Sequence, residues 1–222
     1  TFGNARPAES YEDEKKQAFI DGEKNVKLFS CFRAVAVKMS QPGIIGSVII
    51  RNTMSGEELE ISAPLFSDCT GDGTIGFLAG ADFRMGREGK DEFGEALAPE
   101  KGDKLTMGAS VQWYSLDGEK KSTLPEFNYG ITFTEENCEK VTMGEWTWET
   151  GMNLDQVYDF ERIRDYGMMV IYSNWSFLKN HYSKKAEYAK KHLGWVAYVA
   201  GKRETRRLMG DYILKQDDVD KQ

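Results

Sequence analysis

Residues 65–81 read LFSDCTGDGTIGFLAGA, an apolar run that enters a glycine-dense turn and a second, helix-like apolar run that leaves it. Within it, Gly71-Asp72-Gly73-Thr74-Ile75-Gly76 spells G-x-G-x-x-G. A dinucleotide fingerprint needs more than three glycines. It needs a preceding strand, a helix N-terminus aimed at the pyrophosphate, and a second parallel strand ending in an acid about 20 residues on. The first two are met. Asp91 and Glu92 lie at about the right distance, but residues 83–92 contain no apolar run that reads as a buried strand. The turn is therefore not a complete nucleotide-binding half. Its chemistry is still specific. Gly71 and Gly73 permit positive φ and close approach of the main chain. Thr74, near the N-cap, opens a short helix whose free N–H groups form a partial positive pole. Asp72 beside that pole either caps the helix or accepts hydrogen bonds from a ligand hydroxyl such as that of a ribose or ribitol.

Upstream of the turn, residues 8–25 are highly charged and read as a helix or solvated connector. Three strand-like stretches follow: NVKLFSCFRAVAVKMS, GIIGSVIIRNTMS and ELEISAPLFSDCT. Pro-Gly and Ser-Gly punctuation between them predicts an antiparallel meander. Downstream, residues 83–104 carry Gly, Pro and charge with little periodicity and read mainly as loop. A second β region is expected in KLTMGASVQWYSL, EFNYGITFT and KVTMGEWTWE, the last with Trp146 and Trp148 on one strand face. From Leu154 through Asn180, and again from Tyr182 to about Val199, apolar residues recur at three and four, which predicts amphipathic helices. The fold class is α+β: an antiparallel β-meander and a second antiparallel sheet, with C-terminal amphipathic helices.

Composition narrows the function classes. A chain of 222 residues with 40% hydrophobic and 29% charged residues is ordinary globular protein of one sizeable or two small domains. The net charge of −7 supplies no basic face for a duplex, so nucleic acid is excluded as a main partner. Cys31, Cys69 and Cys138 are far apart without a C-x-x-C, and His181 and His192 have no neighbouring thiol. No metal site and no disulfide framework is expected. No segment approaches the ~18 consecutive apolar residues of a membrane span.

Two blocks carry a resemblance. Pro64-Leu65-Phe66-Ser67-Asp68-Cys69-Thr70-Gly71-Asp72-Gly73, with Leu78-Ala79-Gly80-Ala81 and Phe83-Arg84-Met85-Gly86-Arg87-Glu88, resembles the D-A-T-G-D-G…A-G-A segment of FAD-dependent oxidoreductases of the two-dinucleotide-fold flavoprotein group. Far along the chain, Gly201-Lys202-Arg203-Glu204-Thr205-Arg206-Arg207, then Gly210-Asp211-Tyr212-Ile213-Leu214 with Asp217-Asp218-Val219, is similar to that family's G-x-R-E-S-R-R…G-D-Y-x-L-T…D pattern. Position 69 is Cys where the family usually has Ala. The true N-terminal G-x-G-x-x-G and the C-terminal flavin-contacting segment of such enzymes have no counterpart here. The resemblance thus implies an interior fragment: residues 1–82 as part of an FAD-binding domain with the meander and the TGDG turn, 83–200 as a substrate-side domain, and 201–222 returning toward the FAD domain. It implies hydride transfer between a small organic substrate and FAD in the parent protein, with FAD held weakly or not at all by the isolated, inactive segment. Asp68, Thr70, Gly71, Asp72 and Gly73 would approach the flavin or its ribityl and phosphate chain.

The arginine cluster gives the catalytic candidates. Arg203 and Arg206, with Arg207 and Glu204 beside them, either clamp a carboxylate or phosphate and stabilise developing negative charge, or pair internally. His181 and His192 are general-base candidates by their ordinary pKa, or packed histidines beside Tyr182 and Trp195. Trp113, Tyr114, Trp146 and Trp148 either stack on a ring ligand or pack in a sheet. The rival class is a polysaccharide lyase of the xanthan type, or a carbohydrate-binding protein. There the arginines would neutralise a uronate, and the substrate would be carbohydrate-derived.

Overall fold

The computed structural model describes residues 12–144 and 146–221. It is α+β, and it divides into two compact units: residues 105–204, and residues 12–104 together with 205–221.

The second of these begins with helix α1 (Asp13–Gly22), which buries no side chain. The expected meander follows as β1 (Phe32–Gln41), β2 (Ile44–Asn52) and β3 (Glu58–Ser62), antiparallel in the order β1-β2-β3. Pro42 and Gly43 make the first turn, with Gly43 at φ 79, the geometry that a Pro-Gly pair favours. Register is fixed by pairs such as Arg51↔Glu58, whose side chains are 2.6 Å apart, and by Glu60, which accepts from both Lys38 and Ser47 at 2.6 Å. Val48 is the unit's one buried apolar side chain among the described residues. After the meander come α2 (Thr74–Leu78), a two-residue strand β4 (Phe83–Arg84) and one turn of helix, α3 (Lys90–Phe93). Residues 83–104 are otherwise loop, as the composition predicts.

The 105–204 unit contains β5 (Trp113–Asp117), β6 (Met143–Gly144), α4 (Phe160–Asn180) and β7 (Lys191–Val196), the strands forming an antiparallel sheet in the order β6-β5-β7. The three-and-four spacing delivers α4 to its expected end at Asn180, although the helix begins at Phe160 and not at Leu154. Ile163, Gly167, Val170, Ile171, Asn174, Trp175 and Leu178 face inward and are buried. Trp175 meets Trp113 edge-on at 5.8 Å, and Trp113 stacks on Trp148 at 6.3 Å.

Three expectations are corrected here. Residues 182–199 are not a helix but a 3-10 turn (Lys185–Tyr188) followed by β7. The turn is tied back by Lys179, whose ammonium donates to the Tyr188 and Lys191 carbonyls at 2.9 and 2.6 Å and to the Ser122 hydroxyl at 2.8 Å. A cross-strand partner then overrides helical spacing, since Val196 registers with Trp113 and Trp195 with Tyr114. Residues 126–134, EFNYGITFT, form no strand, because the buried polar face of α4 takes over their main-chain hydrogen bonding. The Ser176 hydroxyl accepts from the Phe127 N–H at 2.9 Å and the Ser173 hydroxyl from the Gly130 N–H at 3.3 Å. Finally, Trp146 and Trp148 do not share a strand face, since β6 ends at Gly144; Glu145 lies outside the described residues.

Two short elements complete the other unit. β8 (Arg207–Leu208) pairs antiparallel with β4, matching Phe83 to Leu208 and Arg84 to Arg207, and α5 (Gln216–Asp220) follows. No helix among the described residues is long and apolar enough to cross a membrane.

Candidate functional site

The bend at 68–73 is built by its own side chains. Asp68 Oδ1 accepts from the Thr70 N–H at 3.0 Å and the Thr70 hydroxyl at 2.7 Å; its Oδ2 accepts from the Gly76 N–H at 2.9 Å. Thr70 Oγ1 accepts in turn from the Thr74 N–H at 2.8 Å. Burial acts to raise the Asp68 pKa, but the hydrogen bonds from Gly76, Thr70 and Ile75 outweigh it and hold the carboxyl below its ordinary value. Helix α2 therefore starts without a capping side chain at its N-cap, which is Gly73 rather than Thr74. Thr70 and Asp68 accept from its Thr74 and Gly76 N–H groups.

Gly71 and Gly73 use the freedom the sequence suggested, at φ 81 and φ 58. They differ in their surroundings. A Cβ on Gly73 would lie 3.1 Å from Leu208 Cγ, so β8 packs behind it, whereas a Cβ on Gly71 would meet nothing within 4 Å. Gly71 is the open crest of the bend.

The back of the bend is anchored from 134 residues along the chain. The Thr205 hydroxyl donates to the Gly71 carbonyl at 3.0 Å, and Arg206 Nη1 donates to the Asp72 carbonyl at 3.3 Å. Arg206 is only 8% exposed. Its guanidinium lies 3.9 Å from the centre of the Phe77 ring and 5.7 Å from that of Phe83, and these two rings meet edge-on at 5.6 Å. A desolvated cation over an aromatic face gains about 2 kcal/mol, which helps to offset its burial. Arg207 completes the block: its Nη2 donates to the Gly86 carbonyl at 2.6 Å and to Glu88 at 2.8 Å. Burial acts to raise the Glu88 pKa, but hydrogen bonds and the neighbouring guanidiniums prevail and lower it. A cleft of about 320 Å³ runs along β8 between Arg84, Phe93, Arg207, Leu208 and Tyr212.

The remaining candidates separate from this arrangement. Arg203 belongs to the 105–204 unit, ion-paired with Glu149 and 4.8 Å from the centre of the Trp146 ring. Glu204 accepts from the Met107 N–H at 2.9 Å. His181 pairs with Glu126 at 2.9 Å on the surface, and His192 stands exposed on β7. Thr205, Phe77 and Phe83 were given no role by sequence reasoning. The only signal for Thr205 was its place inside the Gly201–Arg207 block.

An FAD group can be tested against this bend. A glycine crest with open space in front suits contact with a flat or extended ligand. The Asp72 carboxylate beside it suits a ribityl or ribose hydroxyl. The donor set fits. Among the described residues no group of three or more His, Cys, Asp or Glu side chains is placed to hold a metal ion.

A family model described as FAD dependent oxidoreductase matches residues 16–222. Comparison with curated proteins and with solved structures returns no match.

Proposed function

The chain belongs to the FAD dependent oxidoreductase family, and from that premise we propose that the 68–73 bend is where it meets the flavin, with Gly71 and Asp72 as the approaching residues. Asp68, Thr70 and Gly73 shape the bend, Thr205 and Arg206 brace it, and the unit that carries it is the flavin-side part of the protein. The 105–204 unit would then be the substrate side. The observation that carries this reading is the pair of hydrogen bonds from Thr205 and Arg206 to the Gly71 and Asp72 carbonyls, which join the two sequence blocks of the resemblance in one site.

FAD, when bound, supplies a hydride acceptor or donor for a small organic substrate. This chain's residues orient it. The open crest lets main chain lie against the ligand, Asp72 accepts from a hydroxyl, and the buried Arg206 cation adds positive potential behind the bend. The pyrophosphate needs another grip. All three sheets among the described residues are antiparallel, so they contain no βαβ half to hold it.

The lyase reading requires an arginine open to a uronate. Arg203 is ion-paired with Glu149, and Arg206 is buried against Phe77, so neither favours it.

The test is flavin retention by the full product of the gene that encodes this chain, purified with FAD and read by absorbance. The wild-type product is expected to hold FAD. Gly71→Asn, which tolerates positive φ but fills the crest, should weaken retention about tenfold or more with the fold intact by circular dichroism. A folded product that binds no FAD, or a Gly71→Asn variant that holds it as well as wild type, overturns the proposal. The 222 residues alone should bind FAD no tighter than about micromolar.

A further inference from the structure

The 105–204 unit contains a cleft of about 570 Å³ between the 151–154 loop and the first turns of α4. Its lining combines an apolar floor with polar groups at the rim. Leu154, Ile163 and Met169 supply the floor; Arg162, Tyr166 and Asn153 supply the rim. Arg162 and Tyr166 are four residues apart on α4, so both side chains rise from one face of the helix. Both are exposed.

The cleft is held open by its own framework. Gly151, at φ 75, brings main chain so close to Ile163 that a Cβ there would collide with that side chain. The Gly151 carbonyl accepts from Gln156 Nε2 at 2.7 Å and from the Leu154 N–H at 3.0 Å. The Thr150 hydroxyl donates to the Ile163 carbonyl at 3.3 Å, pinning the loop to the helix. The one acid on the lining, Asp165, accepts from Arg164 Nε and Nη2 at 2.9 and 2.7 Å, which offsets its charge. That leaves the Arg162 guanidinium, the Tyr166 hydroxyl and the Asn153 amide as donors around an apolar floor.

We propose that this cleft is a binding site for a small organic carboxylate with an apolar body. Arg162 would pair with the carboxylate in bidentate fashion, Tyr166 and Asn153 would donate to it, and the body would lie on Ile163, Leu154 and Met169. The volume suits a ring-sized ligand, and a ligand of that size is seated by few polar contacts. The proposal stands apart from the flavin reading, because it concerns only residues of the 105–204 unit and is measured without flavin.

Binding is measured on the full chain by calorimetry and ligand-observed NMR, with benzoate, cyclohexanecarboxylate and glucuronate as probes and benzamide as the neutral analogue. At least one carboxylate should bind, benzamide at least tenfold more weakly. Arg162→Gln should weaken the carboxylate roughly 10–100-fold and Tyr166→Phe several-fold, while Lys184→Gln, at an exposed lysine outside the cleft lining, leaves it within about twofold. Circular dichroism establishes that each variant is folded, and since Arg162 and Tyr166 are exposed their loss should not unfold α4. Equal binding of benzamide, no binding of any carboxylate up to about 10 mM, or an unchanged affinity in folded Arg162→Gln overturns the proposal.

Discussion

Asp68 shows how one carboxylate organises a bend. Three hydrogen bonds converge on it from residues two and eight positions ahead, and they lower its pKa in spite of burial. The folded chain therefore releases this proton more readily than the unfolded chain does. Stability from Asp68 is complete above the unfolded value of about 4 and is lost as pH falls through the depressed folded value. Asp68→Asn should cost about 1 kcal/mol at pH 7, as removal of a helix cap does, and progressively less below about pH 4. Urea melts of both proteins at pH 7 and pH 3 measure this; a difference that does not shrink at the lower pH contradicts it. The neighbouring Arg206 makes a contrasting point. Its role as an internal brace could not be read from three arginines within five residues, since sequence spacing does not reveal which guanidinium finds an aromatic ring.

Among the elements, α4 was the most legible and most determines its surroundings. Its periodicity gave its position and inward face, but not what its buried polar residues do. Ser173, Asn174 and Ser176 bind the main chain of 127–139, which is why that stretch is not the strand its composition suggests. The same helix passes close to Val111 at Gly167, where a Cβ would lie 2.8 Å from Val111 Cγ2. Ala exceeds Gly by about 1 kcal/mol in helix propensity, but Val111 is buried, and a β-branched side chain is stiff at χ1. Overpacking wins, so Gly167→Ala should destabilise by about 1–2 kcal/mol. In a Val111→Ala background the same change should become neutral or stabilising, and a double-mutant cycle from thermal melts reads the sign.

Across the whole molecule the buried apolar core is distributed unevenly. The hydrophobic cluster that includes Trp113, Ile163, Val170, Trp175 and Leu178 lies wholly within 105–204, while Val48 is the one apolar side chain that the meander sheet buries. Amide hydrogen exchange should therefore be slowest in α4 and β5 and markedly faster in β1 and β3; equal protection of the meander would refute this. The meander and its turns were legible because Pro-Gly and alternation are local signals. The site was legible only as two resembling blocks, since no local rule tells residue 71 that its partner is residue 205.

That separation has a consequence for how the protein is made. A growing polypeptide displays the glycine bend long before Thr205 and Arg206 have been synthesised, so the bend emerges 134 residues ahead of its brace. Its final shape is reached only after the intervening residues have had time to collapse around their own tryptophans.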